Sequence, residues 1–100
     1  ALADLARALE ANPRMGTAYQ DRATVYTRLK KDDEALRDLD QAVRLLPRSA
    51  QAVNSRGNLY LERNDLDRAM ADYSEAIRID PKFAAALFNR GLVFFKRKDY

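Results

Sequence analysis

Three prolines stand at positions 13, 47 and 81 of this 100-residue chain, two equal steps of 34 residues apart. Proline lacks a backbone N–H and crowds the preceding turn, so a fixed proline period predicts a helix-ending signal at that period. Other columns keep the same step. Arg22, Arg56 and Arg90 recur with it, as do Ala18, Ala52 and Ala86, and each arginine is followed by a small residue, Ala23, Gly57 or Gly91. Ala1, Ala35 and Ala69 form a further column, followed by Asp4, Asp38 and Asp72, then by Ala8, Ala42 and Ala76. Residues 16–49 and 50–83 share nine identities over 34 aligned positions, and Val25 with Leu59 and Val43 with Ile77 are conservative pairs. Self-similarity of this kind marks a chain built by stacking copies of one small unit.

Each unit reads as two helices. Tyr19, Ala23 and Tyr26 fall at i, i+4 and i+7, and Val53, Gly57 and Tyr60, then Leu87, Gly91 and Phe94, repeat that stripe. A second stripe runs through Ala35, Leu39, Ala42 and Val43, through Ala69, Tyr73, Ala76 and Ile77, and through Ala1, Leu5, Ala8 and Leu9. The expected helices span 1–12, 16–30, 33–46, 50–64, 67–79 and 84–98. Polar turns are expected near Lys30 to Asp33 and Asn64 to Asp67, with Asp33 and Asp67 as candidate N-caps. A glycine inside a helix costs roughly 0.5–1 kcal/mol relative to alanine, so Gly57 and Gly91 on the buried stripe predict close helix approach at those points.

Composition removes whole classes of chemistry. At 47% hydrophobic and 33% charged, a chain of this length carries apolar material for one core rather than two. Cysteine and histidine are both absent, so disulfides, zinc sites of the usual ligands, thiol nucleophiles and imidazole bases are excluded. No cofactor or metal is expected. The paired carboxylates Asp32 and Asp33 fall in a polar turn, no serine has a base beside it, and an enzyme is not expected. Lys and Arg exceed Asp and Glu by 18 to 15, but the charges are interspersed, which argues against a nucleic-acid partner. Lys96-Arg97-Lys98 is read as a favourable charge for a helix C-terminus. No stretch approaches the roughly 18 apolar residues of a membrane span. The amino terminus has neither a basic leader nor an initiating methionine and reads as a processed or excised piece, while the lack of cysteine leaves the compartment open.

The period, the two helices and the column residues together resemble the tetratricopeptide repeat. The pattern is carried by Tyr19, Ala23, Tyr26, Ala35, Leu39, Ala42 and Pro47, and again by Val53, Gly57, Tyr60, Ala69, Tyr73, Ala76 and Pro81. Residues 1–15 resemble the second helix of a preceding repeat, 16–49 and 50–83 two full repeats, and 84–100 the first helix of a following one. The family's usual Trp is replaced by Tyr19, Val53 and Leu87, and its common Leu before the small residue by Arg22, Arg56 and Arg90. The resemblance implies an all-α, right-handed α-solenoid of antiparallel helix hairpins. A partly buried arginine needs a carboxylate, so each is expected to bridge to the aspartate column, either within a unit (Arg22 with Asp38, Arg56 with Asp72) or to the preceding one (Arg22 with Asp4, Arg56 with Asp38, Arg90 with Asp72).

The resemblance further implies a concave surface lined by the first helix of each unit, which binds a peptide or partner segment. Transferred to this chain, the lining includes Gln20 and Thr24, then Gln51, Asn54 and Asn58, then Phe88, Asn89, Leu92 and Phe95. The amides can pair with an extended backbone, and the aromatic and leucine side chains offer an apolar landing site. Some family members grip an acidic peptide end with a clamp of Lys and Asn. Asn58 and Asn89 have its spacing, but Asn54 stands in place of its leading Lys, and that clamp is not expected here. An alternative is a self-assembly module that stacks head to tail through uncapped terminal helices to give a homo-oligomer.

Overall fold

The computed structural model describes residues 1–98, which form six helices and, among them, no strand. They are α1 (Leu2–Ala11), α2 (Gly16–Arg28), α3 (Asp32–Leu45), α4 (Ala50–Glu62), α5 (Leu66–Ile79) and α6 (Ala84–Lys98). The last two positions of the expected final half-repeat, 99 and 100, lie outside the described residues.

Two compact units divide the chain after Pro47. Within each unit a hairpin buries its stripe against helices adjacent in sequence. In the first unit α2 pairs with α3, and α1 packs against α2. Ala18 and Ala23 of α2 and Ala35, Leu39 and Ala42 of α3 are buried in this unit. In the second unit α4 pairs with α5, and α6 packs against both. Its core holds Ala52, Val53 and Leu59, then Ala69, Tyr73 and Ala76, and finally Ala86 and Val93 of α6.

Each proline follows a helix C-cap. Asn12, Leu46 and Asp80 close α1, α3 and α5 in extended or intermediate backbone conformations, as expected for a residue that precedes proline. Asn12 and Asp80 then accept a hydrogen bond from the backbone N–H two residues on, at 3.1 Å in both cases, which shapes the turn into the next element. Leu46 cannot do this and packs instead over Gly16, with its Cγ 2.6 Å from the point a Cβ on that glycine would occupy.

The turns inside the hairpins share one geometry. Lys30 and Asn64, 34 positions apart, both adopt φ of 62°. After α2, Lys31 N–H donates to Tyr26 O at 2.9 Å and Lys30 N–H to Thr27 O at 3.1 Å. After α4, Asp65 N–H donates to Tyr60 O and Asn64 N–H to Leu61 O, each at 2.9 Å. These are the paired 6→1 and 5→2 bonds of a Schellman ending, which satisfies carbonyls left without partners at a helix C-terminus.

That compact ending starts the following helix earlier than the polar residues suggested. Asp33 and Asp67 are not N-caps: they lie inside the first turns of α3 and α5, where acidic side chains complement the helix dipole. Lys31 takes the cap position of α3 without a side-chain bond, and Asp65 caps α5 by accepting from Arg68 N–H at 3.3 Å. Ser49 caps α4, accepting from Ala52 N–H at 3.1 Å.

Gly57 meets the close approach expected of it. A Cβ there would lie 2.9 Å from Tyr73 Cε1 and 3.2 Å from Asp72 Cβ. Gly91 does not, since nothing stands within 4 Å of its would-be Cβ. No helix among the described residues crosses α6 on that side, as α5 crosses α4 at Gly57.

Candidate functional site

The arginine column sits at the hairpin crossings. Arg22 Nε and Nη2 each donate to a carboxylate oxygen of Asp38 at 2.7 Å. Arg56 repeats the bidentate geometry on Asp72, at 2.9 and 2.8 Å. Both aspartates are almost fully buried, so the carboxylates require these donors. The hydrogen bond to Asp38 is the main reason that the Arg22 guanidinium is held above its ordinary pKa, with burial opposing it. Arg22 also lies 5.7 and 5.9 Å from the ring centres of Tyr19 and Tyr26, within cation–π range.

Of the two pairings the spacing left open, the structure contains the one inside each hairpin. Asp4 and Arg90 stand apart from it. Asp4 is exposed on α1 and Arg90 is half-buried on α6, and neither has an ion-pair partner among the described residues. Asp72, the expected partner of Arg90, is engaged by Arg56.

The polar residues assigned to the lining behave differently in the two units. On α2, Thr24 Oγ1 donates to the Gln20 carbonyl at 3.2 Å, so this hydroxyl is turned back on its own helix, while the Gln20 side chain is half-buried. On α4 and α6 the amides form one network. Tyr73 Oη donates to Asn58 Oδ1 at 2.6 Å, and Asn89 Nδ2 donates to the same oxygen at 3.1 Å and to Asn54 Oδ1 at 3.4 Å. Two acceptor oxygens of α4 are thus drawn toward α5 and α6, and Asn54 is left only 7% exposed. No hydrogen bond engages the Nδ2 groups of Asn54 and Asn58 among the described residues; Asn58 is exposed, whereas Asn54 is almost fully buried.

Tyr73 is the member of this network that sequence reasoning placed in the core alone. Its ring is buried, and burial, with the nearby Asp72 and Glu62 charges, pushes its pKa up to about 12. The signal was present in its polar tip, since a buried tyrosine hydroxyl needs a partner, and Asn58 is the acceptor that the hairpin brings to it.

Beside the amides, α6 carries exposed apolar side chains. Phe88 and Phe95 are each 69% exposed and Leu92 39%, at i, i+4 and i+7 along the helix. Gln51 is exposed near the start of α4. Leu87 and Phe94 are exposed on the neighbouring stripe of α6. Arg97, from the basic run, lies 3.4 Å from Asp67. Among the described residues no acidic cluster could hold a metal ion, and no helix is long and apolar enough to cross a membrane.

Residues 1–50 match the tetratricopeptide repeat family, and residues 57–97 match a second family described as TPR repeat. No curated protein matches the sequence. Among solved structures, the first TPR of Spaghetti (RPAP3) bound to HSP90 peptide SRMEEVD is similar, with a TM-score of 0.89 at 24% identity over 94% of this chain and 75% of that one. MamA is similar with a TM-score of 0.87 at 21% identity, over 94% of this chain and 55% of its own. With a repeat of 34 residues, paired helices and family matches in both units, the chain belongs to the tetratricopeptide repeat family.

Proposed function

We propose that this chain is a protein-interaction scaffold that holds an extended peptide segment on the face shared by α4 and α6. The observation that carries the reading is the amide network. Asn89 and Tyr73 occupy the acceptor oxygens of Asn54 and Asn58, and the Nδ2 donors of the two residues carry no hydrogen bond among the described residues. Donors fixed in this way can pair with main-chain carbonyls of a peptide without selecting its sequence, and their fixed rotamers reduce the entropy lost on binding. Phe88, Leu92 and Phe95 add an apolar surface that favours large hydrophobic side chains. A peptide-bound structural neighbour, the TPR of Spaghetti with SRMEEVD, supports the same class of function.

Selection from a displayed library of extended peptides tests this reading. Binding sequences rich in apolar residues are expected, with Phe88→Ala and Leu92→Ala each weakening affinity by roughly fivefold to a hundredfold. These positions suit the test because their side chains are exposed, whereas Asn58→Ala would also strip the buried Tyr73 hydroxyl of its acceptor. Failure to recover any peptide, or affinities indifferent to both substitutions, would contradict the proposal.

A further inference from the structure

The second hairpin carries a polar contact that filling its core does not require. At the place of Tyr73 the first hairpin has Leu39, 34 positions earlier and also buried, so an apolar side chain is enough to occupy that site. Tyr73 adds a hydroxyl, which donates to Asn58 Oδ1 at 2.6 Å. At the place of Asn58 the first hairpin has Thr24, whose hydroxyl turns back to the Gln20 carbonyl. The buried tyrosine and the amide it reaches are thus confined to the second unit.

An amide oxygen has two lone pairs, and on Asn58 both are taken. Tyr73 fills one, and Asn89 Nδ2 of α6 fills the other at 3.1 Å. Asn58 is nonetheless exposed, and its Nδ2 carries no hydrogen bond among the described residues. Turning its amide over would set Nδ2 against Asn89 Nδ2, donor to donor, so the two contacts together fix one orientation. Asn54 differs, because its oxygen also accepts from Asn89 but the residue is only 7% exposed and has little surface to offer a ligand.

We infer that Tyr73 is a positioning residue for ligand recognition: with Asn89, its hydroxyl fixes the Asn58 side chain as a donor that cannot accept, so the ligand group paired at Asn58 is a main-chain carbonyl oxygen. This rests on the reading of the α4 and α6 face as a peptide site. An unconstrained asparagine pairs with a peptide carbonyl and a peptide N–H alike. Asn58 pairs with the carbonyl alone, and a peptide placed with an N–H at that point leaves two donors facing each other. The register of an extended peptide is thereby set at Asn58 without any choice among side chains, which is left to Phe88 and Leu92.

The first test needs no ligand. NMR relaxation of the Asn58 side-chain amide in the isotope-labelled chain is expected to report an ordered group, and Tyr73→Phe is expected to bring its order parameter below about 0.6, the range of flexible groups. An amide equally ordered in both chains would overturn the inference and leave the peptide reading intact. Affinity for a peptide recovered by library selection is then measured by titration calorimetry. Asn58→Asp keeps an acceptor for Tyr73 and Asn89 and replaces only the donor, so binding at about 0.5 M salt, which screens the new charge, is expected to weaken about tenfold or more. Unchanged or tighter binding would place an N–H opposite and overturn the inference. Tyr73→Phe is expected to weaken binding about threefold to tenfold in the unaltered chain and not at all in the Asn58→Ala chain. Equal losses in both would assign Tyr73 to packing alone and overturn the inference. Phe88→Ala is expected to weaken binding in all of these chains, which tests the peptide reading separately, and recovery of no peptide overturns both. Circular dichroism of every variant establishes that its helices are intact.

Discussion

At the hairpin crossings, one residue's size sets another's. Tyr73 is fully buried and its Cε1 lies 2.9 Å from the position a Cβ on Gly57 would take, so α4 and α5 approach as closely as they do only because Gly57 has no side chain. In the other unit the corresponding pair is Ala23 and Leu39, where the smaller core residue leaves room for a methyl group. Gly57→Ala is therefore expected to destabilise by about 1 kcal/mol, because overpacking exceeds the helix-propensity gain. Combined with Tyr73→Leu, the loss should be smaller than the two single losses summed, by about 0.5–3 kcal/mol, in a urea-unfolding double-mutant cycle. Additive losses would show that the two do not compete for space. The raised pKa of Tyr73 gives a second expectation. Its unfolded form ionises first as pH climbs through about 10, so stability contributed by the neutral phenol is lost between about 10 and about 12. Ultraviolet titration of the native chain should reveal a tyrosine that ionises near 12, and Tyr73→Phe should remove that step. The crossing was legible in the sequence as a glycine on an apolar stripe, but its hydrogen bond to Asn58 was not, because periodicity reports which face is buried and not which polar tips meet there.

Among the elements, helix interiors were more legible than their ends. The six helices follow from stripes sustained over three or four turns, while α3 and α5 begin before Asp33 and Asp67 because a Schellman ending of the preceding helix consumes few residues. That ending demands a left-handed residue, and a lysine gives no hint of it. Lys30 at φ 62° carries a steric cost that glycine avoids, and Asn64 at the same angle bears less of it. Lys30→Gly is thus expected to raise unfolding stability by about 1 kcal/mol, and Asn64→Gly by less, both measured by urea denaturation. A loss of stability on Lys30→Gly would mean that its side chain contributes more than its backbone costs. The arginine and aspartate columns were likewise visible at this scale, and the spacing alone could not choose between bridging within a hairpin and bridging to the preceding unit. The coordinates make the choice: both oxygens of Asp38 accept from Arg22 and both of Asp72 from Arg56, each bridge lying within its own hairpin.

For the molecule as a whole, a period of 34 residues sets the pairing of each helix with its sequence neighbour, and each of the two units contains one complete hairpin. The family assignment rests on that period and is matched in both units. The candidate lining was legible only as positions on helices. Which of its polar groups are engaged was set by contacts between α4, α5 and α6, so the Nδ2 donors of Asn54 and Asn58 carry no hydrogen bond among the described residues while Thr24 is occupied by its own helix. Whether α4 and α6 present a peptide-binding face is decided by NMR titration of the isotope-labelled chain with a selected apolar peptide. Saturable shifts of the side-chain amide signals of Asn54 and Asn58 and of the rings of Phe88 and Phe95 are expected. Saturable binding that leaves those signals unmoved and shifts residues elsewhere would contradict it.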